Sequence, residues 1–207
     1  MAEIIHLSNS RKDPLWEDFL AGDRQAFSQI FQRHYSYLYH YGLKLGADDD
    51  LAKDCIQELF IHLWENRHRL AHTTSIKFYL MKCYRRYIGK LLGQKRRQGL
   101  STSPDEQYDF ELVFSAEQEL IIQESSRARL VHLQAAFNGL SKRQREVIYL
   151  KFYAQLNYEQ IGEVMGLQYQ SVRNYLHQAL VALRRDKALL GSLSCLLALA
   201  LLSWLAS

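Results

Sequence analysis

Only two prolines, Pro14 and Pro104, interrupt the 207 residues, so long helices are open to almost the whole chain. Proline removes a backbone donor and clashes with the preceding helical turn, and its scarcity therefore bears directly on fold class. No stretch alternates apolar and polar residues for long enough to make a strand. The predicted fold is all-α. Asp13-Pro14 reads as an N-cap followed by proline at the first helical position, opening a short helix through Leu20. A second helix is predicted over 24–45. A third starts at the acids Asp48–Asp50 and runs to about Leu70, where Arg67, His68 and Arg69 suit the negative end of the helix dipole. Thr73–Ser75 precede a fourth, to about Arg97. Further helices are predicted over 115–138, 141–153, 158–165 and 169–187.

Charge is distributed in blocks that the small formal net charge of +4 conceals. Residues 76–97 carry eight basic and no acidic side chains, whereas 98–126 carry seven acidic and no basic ones. Residues 141–187 are again basic, by four. Such segregation separates two basic helical regions by an acidic connector, and Gly99, Ser101 and Pro104 mark that connector as a linker. The expected layout is two small helical domains, 12–97 and 127–187, joined by 98–126. A tail follows at 188–207, in which 20 residues carry no charge and nine are leucine. Twenty helical residues span about 30 Å, the thickness of a bilayer core. Arg184, Arg185 and Lys187 precede the tail, so it could anchor the chain to the inner face of a membrane; packing on the protein or docking a partner are the alternatives. Cys55, Cys83 and Cys195 are odd in number and far apart, without metal-ligand spacing, and the N-terminus has no apolar core for a secretory signal. A cytoplasmic protein without metal or cofactor is expected.

The C-terminal half carries a helix-turn-helix pattern. Ser141…Gln144 and Asn157…Gln160 both fit the capping box, in which each end of the motif satisfies a backbone donor of the other. Ile161, Val164 and Met165 give the first helix an apolar face, Gly166 permits a tight turn, and Leu167 can plug the angle. In the second helix Val172, Leu176, Ala179 and Leu183 must face the core. The opposite face presents Gln170, Asn174, His177 and Gln178, flanked by Ser171 and Arg173, which are side chains suited to base edges and phosphates in a major groove.

The segment from Gly139 to Arg185 resembles region 4, the minus-thirty-five-binding domain, of bacterial RNA polymerase sigma factors, and the short chain is similar to their extracytoplasmic-function group. Residues 48–70 are similar to region 2.2 of the same family. There, Leu51, Cys55, Leu59 and Leu63 line a buried side, while Ile61 and Trp64 stand on the outer side beside Asp54, Gln57 and Glu58. The resemblance implies that this outer face binds the coiled coil of the polymerase beta-prime clamp. Residues 75–97 resemble regions 2.3 and 2.4, which open and read the minus-ten element. Ile76, Leu80, Cys83, Tyr87 and Leu91 share one face, and Phe78, Lys82, Arg85 and Arg86 fall opposite. A basic face bearing an aromatic ring suits single-stranded DNA, with charge for the backbone and a ring for base stacking. The loop His72-Thr73-Thr74 sits where the family holds a flipped minus-ten base. Arg86 departs from the family, which usually has Asn there. The acidic connector is either a path near the template strand and RNA exit or a solvated spacer.

The resemblance implies a sigma factor that binds core polymerase and promoter DNA and directs promoter-specific initiation, with an anti-sigma factor as a further candidate partner. No P-loop, acidic metal motif or Ser/Cys-His arrangement indicates catalysis. A stand-alone helix-turn-helix regulator, tethered or not by the tail, is the alternative.

Overall fold

The computed structural model describes residues 13–98, 110–111 and 134–185. Within them the chain runs through α1 (Pro14–Leu20), α2 (Arg24–Lys44), α3 (Asp49–Glu65), a 3₁₀ turn (Arg67–Arg69), α4 (Ile76–Gln98), a helical turn at 134–138, α5 (Lys142–Ile148), a π turn (Tyr149–Tyr153), α6 (Tyr158–Met165) and α7 (Tyr169–Arg185). The all-α expectation holds among these residues. No helix among them is long and apolar enough to cross a membrane. The tail at 188–207, most of the connector and the predicted helix start at 115 lie outside the described residues.

Side-chain caps set most of the helix starts. Asp13, Asp23 and Asp48 each accept backbone N–H groups from the first turn of α1, α2 and α3, supplying partners that the helix cannot. Ser141 and Asn157 form complete capping boxes with Gln144 and Gln160. The third helix ends at Glu65 rather than near Leu70. Asn66 closes it, its side-chain amide donating to the His62 carbonyl at 2.9 Å, and the chain tightens into the 3₁₀ turn.

α1 to α4 form one bundle, with α2 against α3 and α3 against α4, while α5, α6 and α7 form a second. The two bundles share one continuous core. α4 packs on α6. Tyr41 of α2 stacks parallel on Tyr149 of the π turn at 5.6 Å, and Phe110 packs against both rings. The π winding, absent from the sequence expectation of one helix over 141–153, turns Tyr149 and Tyr153 toward α2, where Tyr153 stacks on Tyr37 at 5.2 Å. Phe110 is fully buried although it belongs to the acidic connector. Glu111 N–H donates to the Lys44 carbonyl at 2.8 Å, and Arg145 donates to the Phe110 carbonyl at 3.2 Å. The connector is thus pinned between the bundles at this point, which the linker reading did not anticipate.

Candidate functional site

The buried stripe of α4 differs from the expected one. Ile76 and Leu80 are buried as expected, but Met81, Tyr84, Ile88 and Leu92 complete the stripe, while Cys83, Tyr87 and Leu91 are only half-buried. The helix carries apolar residues around most of its girth, and the neighbouring helices select which of them are enclosed.

The basic face of α4 is therefore not a free surface. Phe78 is half-buried, and Lys82 pairs with Glu163 of α6 at 2.6 Å. Arg85 pairs with Glu146 of α5 at 2.9 Å, and its side chain is only 17% exposed. Glu146 has no exposure and also accepts a hydrogen bond from the Tyr41 hydroxyl. Burial opposes the Arg85 charge, but Glu146 more than restores it and holds the guanidinium firmly protonated. Of the four expected residues, Lys82 and Arg86 are exposed, while Phe78 and Arg85 are half-buried. The loop before α4 is anchored by α1: the Trp16 indole donates to the Ala71 carbonyl at 3.1 Å, and His72 Nδ1 meets the Glu17 carboxylate. Thr73 accepts the Ser75 N–H on its hydroxyl, and Thr74 projects outward.

On α3, Asp54, Gln57, Glu58 and Ile61 are all exposed, Ile61 by 41%. Trp64 corrects the expectation of a second projecting apolar side chain. It is half-buried, with its ring 5.1 Å from Phe27 and 6.4 Å from Phe19, and Arg67 covers it at 4.4 Å. Leu51 is half-buried rather than enclosed, while Ala52, Ile56 and Phe60 join the core. Phe31 of α2, which the sequence did not single out, is 36% exposed and packs edge-on against Phe60 at 4.9 Å.

The helix-turn-helix has the expected geometry. Gly166 is left-handed at φ +67°, and the Leu167 N–H donates to the Gly162 carbonyl at 2.8 Å. Val172, Leu176, Ala179 and Leu183 are buried, while Gln170, Arg173, Asn174, His177 and Gln178 are exposed and Ser171 is half-buried. Gln170 donates to Asn174 at 3.3 Å, and Gln144 of α5 donates to Gln178 at the same distance. Two further features escaped the sequence reading. Gly162 lies where α6 meets the turn, and a Cβ there would stand 2.7 Å from the Leu167 carbonyl oxygen. Tyr169, 43% exposed at the start of α7, packs edge-on against Tyr158 and lies under Arg173 at 5.9 Å. A polar-face search passes over such a tyrosine, although its position beside Gln170 was a usable signal.

Sigma-70 region 2 matches residues 30–98 and sigma-70 region 4 matches residues 130–183, together more than half of the chain. The chain belongs to the sigma-70 family of RNA polymerase sigma factors, in the extracytoplasmic-function group.

The RNA polymerase sigma factor NccH of Alcaligenes xylosoxydans xylosoxydans is 26% identical over 179 residues, which cover 81% of this chain and 92% of that protein. The fold is similar to that of CnrH, solved in complex with the cytosolic domain of CnrY, at a TM-score of 0.51 and 18% identity over 87% of this chain and 97% of that one. It is also similar to the sigma factor RpoE of Bartonella quintana, solved with the anti-sigma factor NepR, at a TM-score of 0.56 and 17% identity over 78% of this chain and 96% of that one. The sigma factor binds core polymerase and promoter DNA and directs promoter-specific transcription initiation. The two regions on one chain disfavour a stand-alone regulator, which would need only the helix-turn-helix.

Proposed function

We propose that the sigma factor engages core polymerase through Asp54, Gln57, Glu58 and Ile61 on α3, with Trp64 supporting the face from beneath. Residues 12–97 then form the unit that melts and holds the minus-ten strand, using His72, Thr73, Thr74, Phe78, Lys82, Arg85 and Arg86. Residues 127–187 form the unit that docks α7 at minus-thirty-five through Gln170, Ser171, Arg173, Asn174, His177 and Gln178. The observation that carries this reading is the outward polar face of α7 opposite a fully apolar stripe, on a chain that also bears region 2. A helix so divided can enter a major groove without uncovering its core. The chain supplies binding energy rather than catalysis, and the cytoplasm, where polymerase and DNA lie, is its place of work. An anti-sigma partner is proposed as well, because RpoE of Bartonella quintana was solved with one.

Run-off transcription with core polymerase and a promoter library tests the assignment. Initiation from a defined set of promoters is expected, and Ile61→Asp should reduce it by weakening polymerase capture. Failure of folded protein to initiate anywhere would sink the assignment.

A further inference from the structure

The loop that joins the 3₁₀ turn to α4 is held by α1 and its cap at three successive residues. The Trp16 indole N–H donates to the Ala71 carbonyl at 3.1 Å, His72 Nδ1 meets the Glu17 carboxylate, and the Asp13 N–H donates to the Thr73 carbonyl at 3.4 Å. Trp16 is itself fixed, with no exposure and its ring 5.0 Å from Phe19 and 5.1 Å from Tyr79 of α4. Thr73 then closes the loop onto the start of α4: its hydroxyl donates to the Ser75 carbonyl and accepts the Ser75 N–H, both at 3.2 Å. α1 precedes the residues that match region 2, so this anchor comes from outside the matched segment.

Two of these contacts go to backbone carbonyls and fix the path of the loop. The third grips a side chain. An ionised carboxylate can only accept, so the shared proton sits on His72 Nδ1 and leaves Nε2 as the remaining polar atom of the ring. The His72 side chain is 54% exposed and that of Glu17 33%, so the histidine is open to a ligand while its partner stands behind it. We propose that Glu17 is a positioning residue for the minus-ten strand: it holds the His72 ring in one orientation, with Nε2 left for an unpaired base, before DNA arrives. This rests on the reading of residues 72–74 as part of the minus-ten surface. An exposed histidine without such a partner samples several rotamers, and binding must then bear the cost of selecting one. With Glu17 in place that selection is made during folding, as it is by the carboxylate behind a metal-ligating histidine. Glu17 touches no DNA and acts through His72. A pair this exposed adds little to stability, so its effect falls on binding and not on the thermal midpoint.

The test uses holoenzyme, assembled from core polymerase and the full chain, on fork-junction probes of a promoter recovered from the run-off library. Each probe presents the minus-ten strand unpaired, either intact or with one abasic site stepped along it. The readout is the abasic penalty, the ratio of the two dissociation constants, at the position where His72→Ala lowers it. Glu17→Ala should reduce that penalty by roughly 2- to 10-fold, the range for immobilising one side chain. Binding of the abasic probe and the thermal midpoint should stay unchanged. Glu17→Gln keeps an acceptor at the same reach and should recover most of the penalty. Asp18→Ala, at an exposed acid of the same helix, should behave as the unsubstituted protein. Glu17→Ala added to His72→Ala should have no further effect, because the two act as one unit. A Glu17→Ala penalty equal to that of the unsubstituted protein overturns the positioning role and leaves the reading of the loop standing. Equal weakening on intact and abasic probes makes Glu17 a structural residue and overturns the role as well. A penalty that His72→Ala alters nowhere places the fault in the reading of the loop, and the positioning role falls with it.

Discussion

The Tyr41 hydroxyl donates a hydrogen bond to the Glu146 carboxylate across 105 positions of sequence, in a site from which solvent is excluded. The bond joins α2 to α5, and Arg85 supplies the counter-charge. A buried carboxylate needs both, because losing either partner leaves polar atoms without water or protein to satisfy them. Tyr41→Phe keeps the ring on Tyr149 and removes only the donor. It should lower stability by about 1.5–3 kcal/mol, the range for a hydrogen bond to a charged group, read from urea unfolding of the full chain.

Gly162 and Gly166 should respond differently to the same substitution. Gly162→Ala drives a methyl against a backbone oxygen at 2.7 Å, which only a shift of α6 against the turn can relieve. A loss of about 1–3 kcal/mol in thermal unfolding is expected, with reduced run-off transcription because α7 moves with the turn. Gly166→Ala meets open space and bears only the left-handed backbone, so a loss of roughly 1–2 kcal/mol with near-normal promoter choice is expected.

The outer face of α7 makes a separable prediction. Asn174→Ala, on the exposed side, should leave the urea midpoint unchanged and weaken initiation at a cognate promoter by roughly 10- to 100-fold, the worth of a good base contact. Arg173→Ala should weaken all promoters more evenly if it contacts phosphate, and a promoter-library readout separates the two patterns.

His34 gives the pH prediction. Burial, then Lys77 and Arg33, hold its pKa below the ordinary 6.5, with Asp13 pulling weakly the other way. The folded protein therefore takes up the proton less readily than the unfolded chain does. Its contribution to stability is complete above the unfolded value and is lost as pH falls through the folded one. Thermal midpoints measured from about pH 7.5 down to about pH 5.5 should fall, and His34→Gln should flatten that slope. An unchanged slope would remove His34 from the account.

The sequence by itself determined the capped helix starts and the helix-turn-helix, because their signals are local. A capping box links residues three apart, and a left-handed glycine closes a turn within its own neighbourhood, so Ser141, Asn157 and Gly166 could be read without knowing what surrounds them. The outward face of α7 was legible for the same reason: its apolar stripe is narrow, and the polar face follows by geometry. On α4 the same arithmetic chose Cys83, Tyr87 and Leu91, whereas Met81, Tyr84, Ile88 and Leu92 are buried. A helix with apolar residues around most of its circumference does not specify its own buried side. Trp64 failed similarly, since Phe19 and Phe27 come from helices whose position no local pattern reveals. Only the tertiary structure decided that Arg85 faces Glu146, 61 positions away, and that Phe110 of the acidic connector belongs to the core. Charge blocks mark where cations and anions are, but an ion pair across two bundles exists only once apolar packing has brought the bundles together and excluded the water that would otherwise keep each charge apart.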